Sequence, residues 1–326
     1  VNDGVAPYFT ENEINNFGNG YDWQDLVYQT APILTSSLNV NGGNEKTKFS
    51  ISGSILNQDG IIHGSDYDRY SIRSNIDHQF SKKFSAVLSS TFTRINTDRK
   101  DSGGGSRGNT LISAQVAPPT LTPYNDDGSY RVLATVYPFV APDLINPLNF
   151  INEQSTLIKA NIALINAALI FNPTEEISIK VSGGMENRDD RTDSYTTRDF
   201  INSDGSASVS TGQFTSLLNE NTISYTKSFS NKHNISAVAG FTYQDFLTTS
   251  LSGSGNGFLS DIVETYNLGA AITPGIPGSG YSKSVLLSYL GRVNYNFRNK
   301  YFATISYRAD GSSKFSKGNK WGYFPS

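Results

Sequence analysis

The chain has no cysteine. That removes disulfides, thiolate metal sites and a cysteine nucleophile together. Its 3 histidines are too few for a histidine-rich metal cluster. No run approaches the roughly 18–20 apolar residues of a membrane helix. No charged-then-apolar leader opens the chain either. An exported protein should carry one, so the expectation is a trimmed or partial chain. Charge of one sign is also scarce. A net charge of −3 and a pI near 5.7 offer no broad basic field, which argues against nucleic acid as a partner.

Aromatic residues are abundant, with 18 Tyr and 19 Phe in 326 residues. The hydrophobic fraction of 37% is low for a helical membrane protein. It is ordinary for a transmembrane barrel, in which half of each strand faces a watery lumen.

Residues 285–297 read V-L-L-S-Y-L-G-R-V-N-Y-N-F. One parity carries Val285, Leu287, Tyr289, Gly291, Val293, Tyr295 and Phe297; the other carries Ser288, Arg292, Asn294 and Asn296 beside two leucines. A pleated strand sends alternate side chains to opposite faces, so one face is greasy and the other mostly wet. The segment exceeds the usual soluble strand of about 5–6 residues and reaches the roughly 9–11 that a tilted strand needs to cross a bilayer. The same alternation recurs at 48–56, 70–80, 84–92, 177–185, 223–229, 235–243 and 301–309. Residues 157–171 are apolar on both parities in the middle, so their facing is open, and a bulge would reset it. Roughly ten strands result.

The connections alternate in length. Those at 42–46, 81–83, 172–176, 230–234 and 298–300 are brief. Those at 99–154, 187–211 and 251–282 are long, and 59–66 is intermediate. Short turns at one end and long loops at the other are the trace of an outer-membrane up-and-down barrel. Aromatic or apolar residues flank the short turns (Phe80 and Phe84, Phe229 and Ile235, Phe297 and Tyr301), as suits an interfacial girdle. Charges test the idea. Arg73, Asp77, Lys180, Arg292, Arg308 and Asp310 fall on the wet parity. His78 and Lys227 are exceptions beside short turns, where they can snorkel. Arg94 is a third exception, far from its turn, which puts it at the outer rim near lipid phosphates. The competing reading is a soluble sandwich with one wet face.

Motifs for chemistry are weak. Residues 103–108, G-G-G-S-R-G, fit G-x-G-x-x-G, but no βαβ unit surrounds them, so a loop is the better reading. Asp126 and Asp127 are adjacent, as are Asp189 and Asp190, and in extended chain such pairs point apart. No Ser-His-Asp arrangement is visible. The expectation is therefore a non-enzyme with no catalytic residue, no cofactor and no metal. The long loop holds Pro118-Pro119, then Y-N-D-D-G-S-Y at 124–130 and Tyr137-Pro138-Phe139. Proline and Asp-Gly punctuation gives a structured loop. Its rings either pack on the loop itself or contact a ligand or partner. Tyr124, Asp127, Tyr130 and Tyr137 are the contact candidates.

Three stretches resemble one family. They are D-W-Q-D-L-V-Y-Q-T-A-P at 22–32; residues 38–61, ending G-S-I-L-N-Q-D-G-I, with S-D-Y-D-R-Y-S-I-R-S-N-I-D-H-Q-F at 65–80; and Y-R-A-D-G-S-S-K-F-S-K-G-N-K-W-G-Y-F-P-S at 307–326. They resemble the SusC/RagA-type TonB-dependent outer-membrane transporters of Bacteroidota. The resemblance implies an all-β, transmembrane, antiparallel up-and-down barrel of 22 strands around an N-terminal plug. Residues 1–326 would be part of that barrel, with plug, signal peptide and C-terminal strands outside the chain. It implies import of oligomeric nutrients, glycans or peptides, with a SusD-like surface lipoprotein, energy from TonB, and outer-membrane lipid around the wall. A receptor for metal chelates or vitamins, and a soluble or secreted β-rich adhesin or lectin, are the alternatives. The end motif also reads without the family, as a turn at Asp310-Gly311-Ser312-Ser313 followed by interface aromatics.

Overall fold

The computed structural model describes residues 7–100, 109–230 and 232–326. The motif at 103–108 lies outside the described residues. One antiparallel sheet takes up all the named strands: β1 (Ile33–Gly43), β2 (Thr47–Asp59), β3 (Asp66–Ser81), β4 (Phe84–Asp98), β5 (Gln154–Phe171), β6 (Ile177–Thr196), β7 (Ser206–Phe229), β8 (His233–Asn256), β9 (Thr273–Pro274), β10 (Gly278–Phe297), β11 (Tyr301–Ser312) and β12 (Trp321–Pro325). Their order in the sheet is their order in the chain, except that the two-residue β9 pairs with β8 off the main path. This is the up-and-down meander, and among the described residues no second sheet packs on it. The soluble sandwich is thereby corrected: Tyr289, Val293 and Tyr295 stay exposed instead of meeting another layer.

Register carries the two faces across the whole wall. Phe92 lies opposite Ile72 and Ala163, Leu169 opposite Ala86 and Val181, and Val293 opposite Ala237 and Ile305. A one-residue slip anywhere would turn a strand's greasy set inward, so this agreement fixes the outward face. β5 pairs through all its 18 residues without a bulge. The open facing is therefore settled without a reset: Ile165, Ala167, Leu169 and Phe171 face outward, while Ile162 and Leu164 line the inner face. Two amides break the outward pattern in mid-wall, besides the small hydroxyls of Ser74 and Ser90. Asn221 donates to Asn219 Oδ1 at 2.7 Å, and Asn219 donates to the Ser182 carbonyl at 3.1 Å, which satisfies most of their amide groups locally.

The short turns fall where the sequence puts them, after β1, β3, β5, β7 and β10. The long loops are shorter than expected. β6 runs to Thr196 and β7 starts at Ser206, and β8 runs to Asn256 before β10 begins at Gly278. Much of 187–211 and 251–282 is strand, which continues above the apolar belt. β7 and β8 have 24 residues each, about twice the roughly 9–11 a membrane crossing needs. Sequence periodicity misses these extensions because in water on both faces no alternation marks them. The outward parity changes character there: Asn187, Asp189, Arg191 and Asp193 follow Met185 on β6.

The exceptions to the charge rule behave as interface residues. Lys227 reaches Glu176 at 3.4 Å in the neighbouring short turn and lies 5.6 Å from the Phe229 ring. His78 bonds Thr47 through Nδ1 at 2.8 Å and stands edge-on to Phe80.

The end motif is a strand pair, not a turn at Asp310. β11 passes through Asp310 and Gly311, and the reversal follows at 313–320. Gly311 faces Trp321, and a β-carbon there would meet the indole at 3.0 Å. The Trp321 ring stacks on Tyr289 at 6.1 Å. Arg308 clamps both carboxylate oxygens of Asp310 at 2.8 and 2.9 Å.

Candidate functional site: the external rim

The most deeply buried apolar side chains lie in the stretch before β1 and in the long loop after β4. Leu133, Leu144, Val27 and Trp23 are 0–2% exposed. Residues 109–153 fold into a lobe around two short helices, α1 (Thr110–Val116) and α2 (Pro147–Glu153). Asn109 and Asn146 cap them by accepting from Ile112 N and Leu148 N, and Pro147 starts the second helix where its missing N–H costs nothing. One cluster joins Trp23, Ala117, Leu121, Leu133 and Leu144. A second joins Val27, Ile62, Ala114, Leu148 and Ile151. The stretch at 22–32 is thus the lobe's floor: Asp22 Oδ1 accepts from Gln24 N and Asp25 N, and the turn so made inserts Trp23, whose indole donates to the Pro118 carbonyl at 2.8 Å.

Half-buried carboxylates and a buried amide bind this lobe to the two neighbouring loops. Glu153 accepts from Tyr130 at 2.6 Å and from Thr197 across the 197–205 loop. Asn149, 1% exposed, donates to the Asp199 carbonyl and accepts from Ile201 N. Asp261 accepts from Tyr195 at 2.7 Å and from Arg198 N, while Arg198 reaches the Leu259 carbonyl. Burial, then the adjacent carboxylates, push the Tyr130 and Tyr195 phenols far above their ordinary range, so both remain donors. The rim is one interlocked body.

The four candidates from the sequence separate in this frame. Tyr124 is exposed, and it pairs with Tyr130 through a single antiparallel bridge, with rings 5.4 Å apart. Asp127 is exposed at the tip of the turn between them. Its carboxylate accepts from the Ser129 hydroxyl at 2.6 Å and from Ser129 N at 3.0 Å, which hold it below the usual carboxylate range. Tyr130 spends its hydroxyl on Glu153. Tyr137 shares a hydrogen bond with Thr120 and stacks on Phe139 at 5.2 Å. Tyr137 therefore belongs to a different surface from the other three. Tyr8, Phe9 and Phe139 join it edge-on or stacked, and Tyr8 and Phe139 are exposed. The doublet Tyr8-Phe9 was missed because nothing in the sequence ties it to a loop some 130 residues away; only its aromaticity was legible.

Two recesses open on this rim. One, of about 660 Å3, is apolar and lined by Phe9, Pro118, Pro119, Pro138, Phe139 and Val140 among others. The other, of about 760 Å3, is polar and lies between the 197–205 and 257–273 segments, with Arg198, Asn202, Asp204 and Asn256 on its wall. Flat rings and rigid prolines can stack on planar or apolar faces; amides and charges can bind hydroxyls and peptide groups. Among the described residues, no group of three His, Cys, Asp or Glu stands close enough to hold a metal ion.

No protein-family model matches the sequence. Curated relatives and solved structures do. TonB-dependent receptor P3 of Formosa agariphila is 31% identical over 98% of this chain and 32% of its own length. TonB-dependent receptor SusC of Bacteroides thetaiotaomicron is 24% identical over 94% of this chain and 31% of its own length. Along nearly its whole length the chain is similar to TonB-dependent receptors, SusC among them. It spans about a third of the length of these curated relatives. The structure of the RagAB peptide transporter superposes with a TM-score of 0.82 at 21% identity, covering 94% of this chain and 35% of that one, which shows a shared barrel fold. The chain is an outer-membrane β-barrel wall. Its greasy face is lipid-facing and its short turns mark one membrane boundary.

Proposed function

We propose that this chain forms wall and external rim of an importer of oligomeric nutrients, glycans or peptides. The observation that carries the reading is the pairing of an outward apolar belt with a polar inner face beneath an interlocked, recessed rim. A polar inner face lets a hydrated solute pass, and a rigid rim gives it a place to bind first. The likeness to SusC and to a peptide transporter supports nutrient import over binding alone. The outermost strands β1 and β12 pair with no further strand among the described residues. Open edges are not tolerated in hydrocarbon. Further strands of the receptor would close them, around a plug. A SusD-like lipoprotein would cover the rim, and TonB would supply the energy. The chain would move its ligand without transforming it.

The test is uptake. Cells lacking the receptor should fail to import a fluorescent oligosaccharide or oligopeptide, and the receptor should co-purify with a SusD-like lipoprotein. Replacing Tyr124, Asp127 and Tyr137 by Ala should reduce uptake or lipoprotein binding while the barrel stays folded. Unchanged uptake and unchanged partner binding would retire these three as contacts. A receptor that imports only metal chelates, with no lipoprotein, would overturn the reading.

A further inference from the structure

The apolar belt ends sharply on β4 and β5. Above Phe92 and Ala163 the outward positions turn polar, first Arg94 opposite Asn161 and then Asn96 opposite Lys159, before a single leucine, Leu157, opposite Asp98. Immediately below them the outward face of β1–β5 carries a groove of about 830 Å3. Leu38, Ile55, Tyr70, Ile72 and Phe92 form its walls. Gly53 forms its floor, and a β-carbon there would meet nothing within 4 Å. Small residues at the floor of a lipid-facing surface make a channel for a chain, not for a globular partner.

The upper end of the groove is cationic. Arg94 Nε donates to Asn96 Oδ1 at 3.2 Å and Arg94 Nη1 to Asn161 Oδ1 at 2.9 Å. Two of the five guanidinium N–H groups are used, which fixes the plane and leaves the rest free. Lys159 lies on the same face, opposite Asn96, in a recess that adjoins the groove and shares Arg94, Asn161 and Asp189 with it. Neither cation has an ion-pair partner among the described residues. The nearby Arg191, by contrast, is clamped to Asp193 at 2.7 Å, and Lys283 to Asp245 at 3.0 Å. Asp189 is the single carboxylate lining the groove, and it already accepts from Asn187 at 2.7 Å. Two unpaired cations against one engaged carboxylate leave the site positive.

We propose that this groove holds an anionic lipid of the outer leaflet that ends in a phosphate monoester, its acyl chain over Gly53 and that phosphate on Arg94 and Lys159. Charge complementarity and depth select the occupant. An arginine fork pairs with phosphate oxygens, and these cations sit where headgroups begin. The inference concerns the wall's outer face and stands independently of which solute the receptor carries.

The test uses the receptor in phosphatidylcholine nanodiscs with a photo-crosslinkable phosphatidic acid as probe. The wild type should be labelled about tenfold more by this probe than by its phosphatidylcholine counterpart, the factor one charge-assisted contact supplies. Arg94→Gln with Lys159→Gln should bring labelling down to the phosphatidylcholine level. Gly53→Leu should block labelling with both cations intact. Millimolar inorganic phosphate should leave labelling unchanged, since the groove needs the chain as well as the headgroup. Heat-modifiable gel migration checks that each variant is a folded barrel. Equal labelling of wild type and the double variant, labelling unaffected by Gly53→Leu, or displacement by inorganic phosphate would overturn the proposal.

Discussion

The wall and the rim obey opposite rules. Along the wall, large apolar side chains such as Ile72, Phe92, Val181 and Val293 are exposed. In the rim, Leu133, Leu144 and Val27 are sealed. The difference is the solvent. Lipid receives apolar side chains as readily as a protein core does, so the wall is held by its hydrogen-bonded ladders. The rim stands in water and needs a conventional core, which the hydrophobic effect stabilises. One chain thus contains two folding problems, with the boundary near Arg94 and Asn161.

The largest effect that would sharpen this contrast is in the rim. Trp23→Ala should destabilise the lobe by about 3–5 kcal/mol, the usual cost of deleting a buried tryptophan. Limited proteolysis should then cut the lobe at 109–153 while the barrel still migrates as a heat-modifiable species. Leu133→Ala should do the same with a cost of about 2–5 kcal/mol. If either variant unfolds the wall as well, the two regions are one cooperative unit.

The reverse experiment acts on the wall. Val293→Arg places a charge in the lipid belt and should cost about 2–4 kcal/mol, whereas Leu251→Arg, above the belt, should cost about 0–1 kcal/mol. Urea titration of barrels folded into vesicles reads the difference. Equal costs would mean that the belt extends higher than the polar outward residues indicate.

A smaller effect tests the rim's internal ties. Tyr130→Phe removes the bond to Glu153 and should weaken the lobe by about 1.5–3 kcal/mol, the range for a bond to a charged group. Faster amide exchange at 124–130, with unchanged exchange in β10, is the expected readout.

The smallest effect is acid-dependent. Hydrogen bonds from the Ser129 hydroxyl and Ser129 N lower the Asp127 pKa in the folded turn. The contribution is present above the ordinary Asp value of about 3.9 and disappears as pH falls through the lower folded value. The Ser129 amide should therefore lose exchange protection only in strong acid, and Asp127→Asn should abolish that pH dependence.

Where alternation was visible, the sequence was enough. In 285–297 and 70–80 the greasy and wet parities match the outward and inward faces, because lipid and lumen each act on alternate residues. Where both faces meet water, as in the upper parts of β7 and β8, the pattern vanishes and strand has no local signature. β5 misled for the opposite reason: Ile162 and Leu164 are apolar but face inward, so its periodicity was blurred. The rim residues show a further limit. Tyr130 and Tyr137 looked alike in the loop, and only their partners, Glu153 for one and Phe139 for the other, assign them to a latch and to an exposed cluster.

By itself, then, the sequence determined a β-barrel wall, its short-turn end and the faces of its belt, since a period of two under two solvents is written locally. Tertiary structure alone decided how high the strands rise, which loop residues are buried, and that Arg94 caps a groove floored by Gly53. Those depend on residues distant along the chain meeting across strands, a relation that register and packing create and local spacing does not encode.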